Sequence, residues 1–360
     1  MASGIEIDFL PVGEGEHSGD AIAIRWLEGN EYRVMVYDGG TKGSGPALVN
    51  HVKKYFNTSH VDFVVNSHPD NDHAGGLSAV LEELSVGELW MHQPWSYSDE
   101  ISHYFRDGRI TSESLERRLQ EKMSAAFALE VLAEKKGIPV YEPFAGSQIG
   151  IFTVLSPTRQ RYVHELIPEF EKSPELRKST SIFDAVGRFV MEAAGFVAEV
   201  WTGENLPESV TTSAENESSA VLFAAIGEKG YLLTGDAGVD TLSASSDFAR
   251  SIGIDLPTRA TFAQVPHHGG RHNVSTDTLN LVFGQPVAED DTTASKTAFV
   301  SAAKAAPRHP KKKVTNAFKR RGFKVFATKG SVIRHYSTGM TLPQGWGPVE
   351  QLPFYAAVEE

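Results

Sequence analysis

The sequence contains no cysteine among its 360 residues. Disulfides, thiolate zinc sites and a thiol nucleophile are therefore excluded, and any metal must be held by nitrogen and oxygen ligands. No uncharged apolar run reaches the ~18 residues that a membrane-spanning helix needs, so no membrane partner is expected. The opening stretch, MASGIEIDFLPVGEG, carries neither a basic segment nor a continuous apolar one. A secretory leader is not expected, and a reducing cytoplasm is the expected setting. Internal repeats are absent. Positive charge is in deficit, with 34 Lys and Arg against 46 Asp and Glu and a net charge of −12, which argues against non-specific coating of nucleic acid.

That deficit is uneven. From Lys296 to Arg334 there are 12 Lys and Arg and no acidic residue. A local basic face on an acidic protein suits an anionic substrate gripped at one site, and Lys311, Lys312 and Lys313 are its expected substrate-binding residues. The plain alternative is a solvated helix surface around KKKVTNAFKRR. Apolar residues make up 41% and charged ones 22%, the proportions of a soluble globular protein. Residues 1–360 are expected to form one domain, with 97–215 as an insertion or lid.

Along the chain, IEIDFLPV alternates at period two, AIAIRWL follows a Gly-Asp turn, and YRVMVYDGG runs into an Asp-Gly-Gly corner. All three read as strands. GPALVNHVKKYF reads as a helix leading to the strand VDFVVNSH, and LSAVLEEL is amphipathic. SESLERRLQEKMSAAFALEVLAEKKG is expected to be one helix with a Ser start and a Gly stop. Strands return in GSQIGIFTVLSP, AVLFAAIGEKGYLLTGDAG, TFAQVPHHGG, TAFVSAA and FKVFATKGS. Strands alternating with helices in two similar halves predict an α/β sandwich.

Polar residues gather at the strand ends: Asp38, His68 to His73, Asp236, and His267 with His268. The stretch SHPDNDHAGG, residues 67–76, could be a hydrated acidic turn, because Asp and Asn form turns readily. Its company favours metal ligation, since LLTGD and VPHHGG also deliver an acid or imidazole just past an apolar strand. A two-metal site needs roughly six donors or more, with a carboxylate able to bridge. His68, Asp70, Asp72, His73, Asp236 and one of His267 and His268 supply that number. His92, in LWMHQPW between two tryptophans, is expected to be a core histidine.

These motifs, in order IDFLPVGEG, GDAIAI, VYDGG, SHPDNDHAGG, SSAVLFAA, LLTGDA, VPHHGG and RHPKKKV, resemble the metallo-β-lactamase-fold hydrolases. Within them they look most like the hydrolase domain of the DNA-uptake competence protein ComEC, whose loop is typically H-x-D-x-D-H. The resemblance spans most of the chain except about 97–215. It implies a four-layer αββα sandwich of two mixed β-sheets flanked by helices, with a largely helical insertion. It implies two divalent metal ions, zinc first and manganese close behind. His68 and Asp70 would hold one ion, Asp72 and His73 the other, and Asp236 would bridge. His268 is the expected ligand of its pair, with His267 facing the substrate as a donor or acid. His309 would sit at the rim near the leaving group. Asp38 and Asn216 would orient ligands without being ligands, and Asn216 lies where most of the superfamily has a ligand histidine.

The chemistry implied is hydrolysis by a water that the metals acidify from a pKa of ~15.7 to about 7, with Asp72 or Asp236 orienting it and His267 or His309 protonating the leaving oxygen. The expected activity is that of a metal-dependent phosphodiesterase or nuclease acting on DNA or RNA. Hydrolysis of a small ester, lactone or phosphoester is the alternative, and an idle binding module is a third reading. A homodimer or a protein partner is left open.

Overall fold

The computed structural model describes residues 2–15, 17–177, 196–289, 291, 296–306, 308–340 and 345–359. The first strands are β1 (Ala2–Phe9), β2 (Ala21–Glu28), β3 (Glu31–Gly39), β4 (His60–Val65), β5 (Ser85–Trp90), β6 (Val140–Tyr141), β7 (Gln148–Ile149) and β8 (Phe152–Ser156). They are followed by β9 (Phe196–Ala198), β10 (Val221–Ile226), β11 (Lys229–Leu233), β12 (Ala260–Gln264), β13 (Lys296–Val300), β14 (Phe323–Ala327), β15 (Ile333–Tyr336) and β16 (Ala357–Glu359).

One sheet runs β15-β1-β2-β3-β4-β5-β6 and the other β14-β13-β12-β11-β10-β8-β7, with β9 and β16 paired separately. Each large sheet is part antiparallel and part parallel: β3, β4, β5 and β6 are parallel in the first, and β11 to β14 in the second. Three apolar cores separate four layers. Ile5, Ile7, Phe9, Trp26, Tyr37, Phe152, Leu222, Leu233 and Phe262 fill the space between the sheets. A second core lies under the helices of the first sheet, and a third under those of the second. The expected αββα sandwich of two mixed sheets is therefore the observed fold.

The alternation in β1 has a different meaning from that of a strand with one wet face. Glu6 and Asp8 point away from the inter-sheet core yet are fully buried. Arg25 and Arg334 pair with Glu6, and Arg334 and His51 with Asp8. The helix layer covers that face, so the acids need partners there.

Within 97–215, residues 140–156 supply β6, β7 and β8 to the two large sheets, and the helical segments lie on either side of them. Residues 178–195 of that stretch lie outside the described residues. The expected single helix is two, Ser112–Lys122 and Ser124–Lys136, broken at Met123 (φ −112°, ψ 43°). The break lets Leu115 and Leu119 of one half and Ala126, Leu129 and Ala133 of the other reach the same core. Thr111 caps the first half and left-handed Gly137 ends the second. No helix among the described residues is long and apolar enough to cross a membrane.

Candidate metal centre

The polar strand ends converge on one edge of the sandwich. Asp20 immediately precedes β2, Asp38 closes β3, and residues 67–76 follow β4. From the second sheet, Asp236 follows β11, the turn Pro266–Gly269 follows β12, and His309 lies beyond β13. All but Asp20 come from C-terminal strand ends, where α/β sheets place their ligands. Antiparallel pairing of Ala21 with Gly39 brings Asp20 to that same edge.

Glycines allow the loops to meet. A Cβ on Gly76 would lie 2.0 Å from the Gly39 carbonyl oxygen, and one on Gly19 would lie 2.4 Å from that of Asp72. These contacts join the Asp-Gly-Gly corner, the Gly-Asp turn and the His68–His73 loop. On the other sheet, His267 and His268 both adopt positive φ (47° and 56°) without being glycine. Such backbone costs of order 1–3 kcal/mol per residue and is characteristic of functional sites. It turns His268 inward, 6% exposed, while the His267 side chain stays 35% exposed.

Asp38 fixes two rings at once. Its carboxylate accepts the Ser67 amide N–H at 2.7 Å, the Ser67 hydroxyl at 2.6 Å and His73 Nδ1 at 2.9 Å. The single Ser67 proton goes to Asp38, so Ser67 Oγ accepts from His68 Nδ1 at 2.9 Å. Both rings are thereby turned with Nε2 toward the interior, the atom through which the neutral form of each would ligate a metal. Asp20 is held by Gln264 of β12, whose Nε2 donates to Oδ2 at 2.9 Å. The same Gln264 accepts the amides of Thr234 and Gly235, which tethers Asp20 to the turn that carries Asp236.

The atoms these partners aim inward are left without hydrogen bonds: His68 Nε2, His73 Nε2, both nitrogens of His268, Asp20 Oδ1 and Asp236 Oδ1. Buried polar atoms are rarely unpaired, so a group of them facing one another marks a place for a ligand. One ligand atom each from Asp20, His73, Asp236 and His268 lies within 4.8 Å of the others. Asp236 Oδ2 is the hub, 3.4 Å from His73 Nε2 and 3.9 Å from both His68 Nε2 and His268 Nε2. Ligand bonds of about 2.0–2.2 Å keep ligand atoms about 3.3–4.2 Å apart, so the spacing of Asp236 Oδ2 from these imidazoles fits a divalent cation, while Asp20 Oδ2 lies 3.9 Å from Nδ1 of both His73 and His268.

Electrostatics agree. Burial, with Asp236 and Asp38 adding to it, pushes the Asp20 carboxyl up to about 7 against the pull of His73. Burial would also raise Asp236, but His73, His267 and His268 hold it well below the usual carboxylate range. Burial opposes charge on His73, yet Asp236 and Asp38 outweigh it and hold that ring well above normal. Burial lowers His268 to about 4, and it lowers His68 as well. A buried acid that otherwise retains its proton beside an ionised one, as Asp20 does beside Asp236, is what a cation relieves.

The remaining sequence-predicted residues occupy the margin. Asp72 is 39% exposed, its Oδ2 4.0 Å from His268 Nε2. His267 Nδ1 lies 2.7 Å from Asp236 Oδ2, and Asn216, donating to Thr212, is 3.2 Å from that same nitrogen. His309 is half-buried, with its ring 6.5 Å from that of His267. Burial and the neighbouring His268, His267 and Lys311 push it down to about 3. Asp70 is paired with Lys172, which also lies 3.5 Å from Glu215. Lys311 and Lys313 are 5% exposed each, at the start of the helix Lys312–Arg320. His92 is buried against Phe144 and Tyr162, away from the centre.

Sequence reasoning missed Asp20, Lys172 and Glu215. Asp20 carried only a weak signal, an acid directly ahead of the apolar run Ala21–Ile24. Lys172 and Glu215 carried none.

Two large mixed sheets flanked by helices are consistent with the metallo-β-lactamase fold, and the edge cluster is a candidate site for a divalent metal. Residues 15–145 match the Metallo-beta-lactamase superfamily, which consists mostly of metal-dependent hydrolases. The metallo-beta-lactamase fold protein YhfI from Bacillus subtilis is similar over 92% of this chain and 100% of its own, at 9% identity and a TM-score of 0.42. A mutant of the CmlA beta-hydroxylase is similar over 92% of this chain and 53% of its own, at 10% identity and a TM-score of 0.39. A metallo beta lactamase from Hirschia baltica is similar over 69% and 81%, at 11% identity and a TM-score of 0.30. No curated protein matches the chain.

Proposed function

We propose that this protein is a metal-dependent phosphodiesterase with nucleic acid as its substrate. The observation that carries the metal-dependent part is the set of inward-facing, unpaired ligand atoms on Asp20, His73, Asp236 and His268. Two of these four ligands are carboxylates, and Asp70 and Asp72 stand beside them. An oxygen-rich set without sulfur suits zinc and brings manganese close to it. The phosphodiester part rests on the H-x-D-x-D-H loop and its resemblance to the competence-protein hydrolases.

A divalent cation bound there would polarise a phosphoryl oxygen and acidify water. The chain's own groups divide the remaining work. Asp72, exposed at the mouth, accepts a hydrogen bond from an incoming water and orients it. His267 keeps Nδ1 on Asp236, and that carboxylate raises its pKa against the effect of burial. Its other nitrogen is thereby suited to protonating a leaving oxygen. His309, held neutral at pH 7, offers a hydrogen bond rather than a charge to the substrate.

A second reading, hydrolysis of a small phosphoester or ester, is favoured by the burial of Lys311 and Lys313, which removes two charges from any polymer-binding face. Hydrolysis of bis(p-nitrophenyl) phosphate and of single- and double-stranded nucleic acid, with manganese or zinc restored after dialysis, tests both. The leading reading expects cleavage of the chromogenic diester and the polymers, and background rates for Asp236→Ala. Cleavage of the small diester with intact polymers would select the second reading. No metal-dependent hydrolysis of either would overturn both.

A further inference from the structure

On the side of the centre opposite His268, the acid Asp70 already has a cation. Lys172 Nζ donates to Asp70 Oδ1 and lies 3.5 Å from Glu215 Oε1, whose side chain is 1% exposed. The lysine is held in place along its backbone. Its own N–H donates to Glu215 Oε1 at 3.3 Å, its carbonyl accepts from Arg118 Nε at 3.0 Å, and the following Ser173 hydroxyl donates to the Ile167 carbonyl at 2.7 Å. His68 Nε2, 3.7 Å from Asp70 Oδ2, is the only imidazole nitrogen within 4.0 Å of that carboxylate among the described residues. The nearby Asn216 turns its amide nitrogen, which has no lone pair to give, toward Thr212 and His267.

We propose that Lys172 takes the place of a second metal ion, so that the centre holds one divalent cation, on Asp20, His73, Asp236 and His268. The inference rests on the metal-dependent reading above and revises the expectation of two ions. A lysine ammonium is a compact point charge with three donors. Seated on Asp70 Oδ1 and beside Glu215, it neutralises the charge that a cation between His68 and Asp70 Oδ2 would need. A dication there would also be repelled by the ammonium sharing its carboxylate. The other side of the centre differs in its charge, since no lysine or arginine pairs with Asp20 or Asp236 among the described residues, and their Oδ1 atoms have no hydrogen bond.

The test is a count of bound ions on the full chain, by elemental analysis after equilibration with Mn²⁺ or Zn²⁺ and by Mn²⁺ EPR. It needs no substrate. Wild type is expected to bind one ion per chain with the spectrum of an isolated Mn²⁺. Lys172→Met, which keeps the stem packed, is expected to bind two, with Lys172→Gln read in the same way should Met destabilise the fold. Two ions or a spin-coupled pair in wild type would overturn the inference and leave the metal centre intact. One ion in both wild type and the folded variants would overturn it as well, because Lys172 would then not be what excludes the second. No bound ion in wild type would overturn the metal centre itself.

Discussion

The loop 67–76 and the stretch 296–334 are both rich in charged and polar groups, and they treat those groups in opposite ways. In the loop, partners are attached to the outer atoms of each ring and withheld from the inner ones: Ser67 and Asp38 take the Nδ1 atoms of His68 and His73, and the Nε2 atoms are left bare. In the basic stretch, cationic heads are consumed by the fold. Lys296 donates to the carbonyls of Pro257 and Phe283, Lys319 to that of Leu352, and Lys329 to those of Ala306 and His309. Arg320 pairs with Glu199, Arg321 with Glu204, and Arg334 with Glu6 and Asp8. Lys304, Arg308 and Lys324 remain exposed. Charge density along a sequence thus separates neither surface from interior nor binding from scaffolding. What separates them is whether the polar atoms have partners.

The difference between the two regions is most vulnerable at Asp236. Removing the hub carboxylate as Asp236→Ala should abolish both metal-dependent hydrolysis and the rise in melting temperature that metal gives wild type. That rise corresponds to about 2.7 kcal/mol at a metal concentration of 100 Kd. A variant stabilised by metal as much as wild type would refute the role of Asp236 as the hub of the centre. On the basic stretch, Arg320→Ala leaves Glu199 buried without its cation. It should cost about 3–5 kcal/mol in denaturant unfolding while the metal affinity of the folded protein stays near wild type. A loss below 1 kcal/mol would mean that the guanidinium is not structural.

His92 offers a control within the same molecule, because its ring nitrogens are also unpaired but belong to no cluster of ligand atoms among the described residues. The nearest carboxylate, on Glu142, is 4.0 Å away. Burial lowers its pKa to about 3. The unfolded chain, with an ordinary histidine near 6.5, therefore binds the proton first, and stability is full above pH 6.5 and falls as pH drops toward 3. Each tenfold weakening of proton binding is worth about 1.4 kcal/mol, so the loss reaches several kcal/mol. His92→Phe should flatten this part of the pH–stability curve; an unchanged slope would show that His92 does not set it. Asp20→Asn should weaken metal binding about 10- to 100-fold with little change in folding, as loss of one oxygen ligand or ligand partner does. The smallest effect belongs to Lys312, whose ammonium lies over the rings of Phe196 and Tyr355. Lys312→Ala should cost about 0.5–1 kcal/mol and leave hydrolysis of a small diester unchanged.

The parts legible from sequence are those in which local order and spatial order coincide. His68, Asp70, Asp72 and His73 are consecutive ligand-type residues after an apolar strand, and Asp236 and His268 repeat that grammar. The α/β sandwich follows from two runs of alternating strands and helices, and its four-layer form from the resemblance of the motifs. Asp20 required the register of β2 on β3, which no spacing reveals, before it could be placed beside Asp38. Lys172 reaches Asp70 across 102 residues of chain from an irregular charged segment, so its partner is a tertiary fact. The basic stretch misleads for a related reason: Glu199, Glu204 and Glu6, which face its arginines, are more than 100 residues away in the chain, and composition cannot show them.

Whether the inward-facing ligand atoms hold a divalent cation is decided by calorimetric titration of Mn²⁺ or Zn²⁺ into dialysed wild type and Asp236→Ala. Saturable binding by wild type that is lost in Asp236→Ala is the expected outcome. No binding by wild type, or equal affinity in a folded Asp236→Ala, would show that these atoms are not a metal centre.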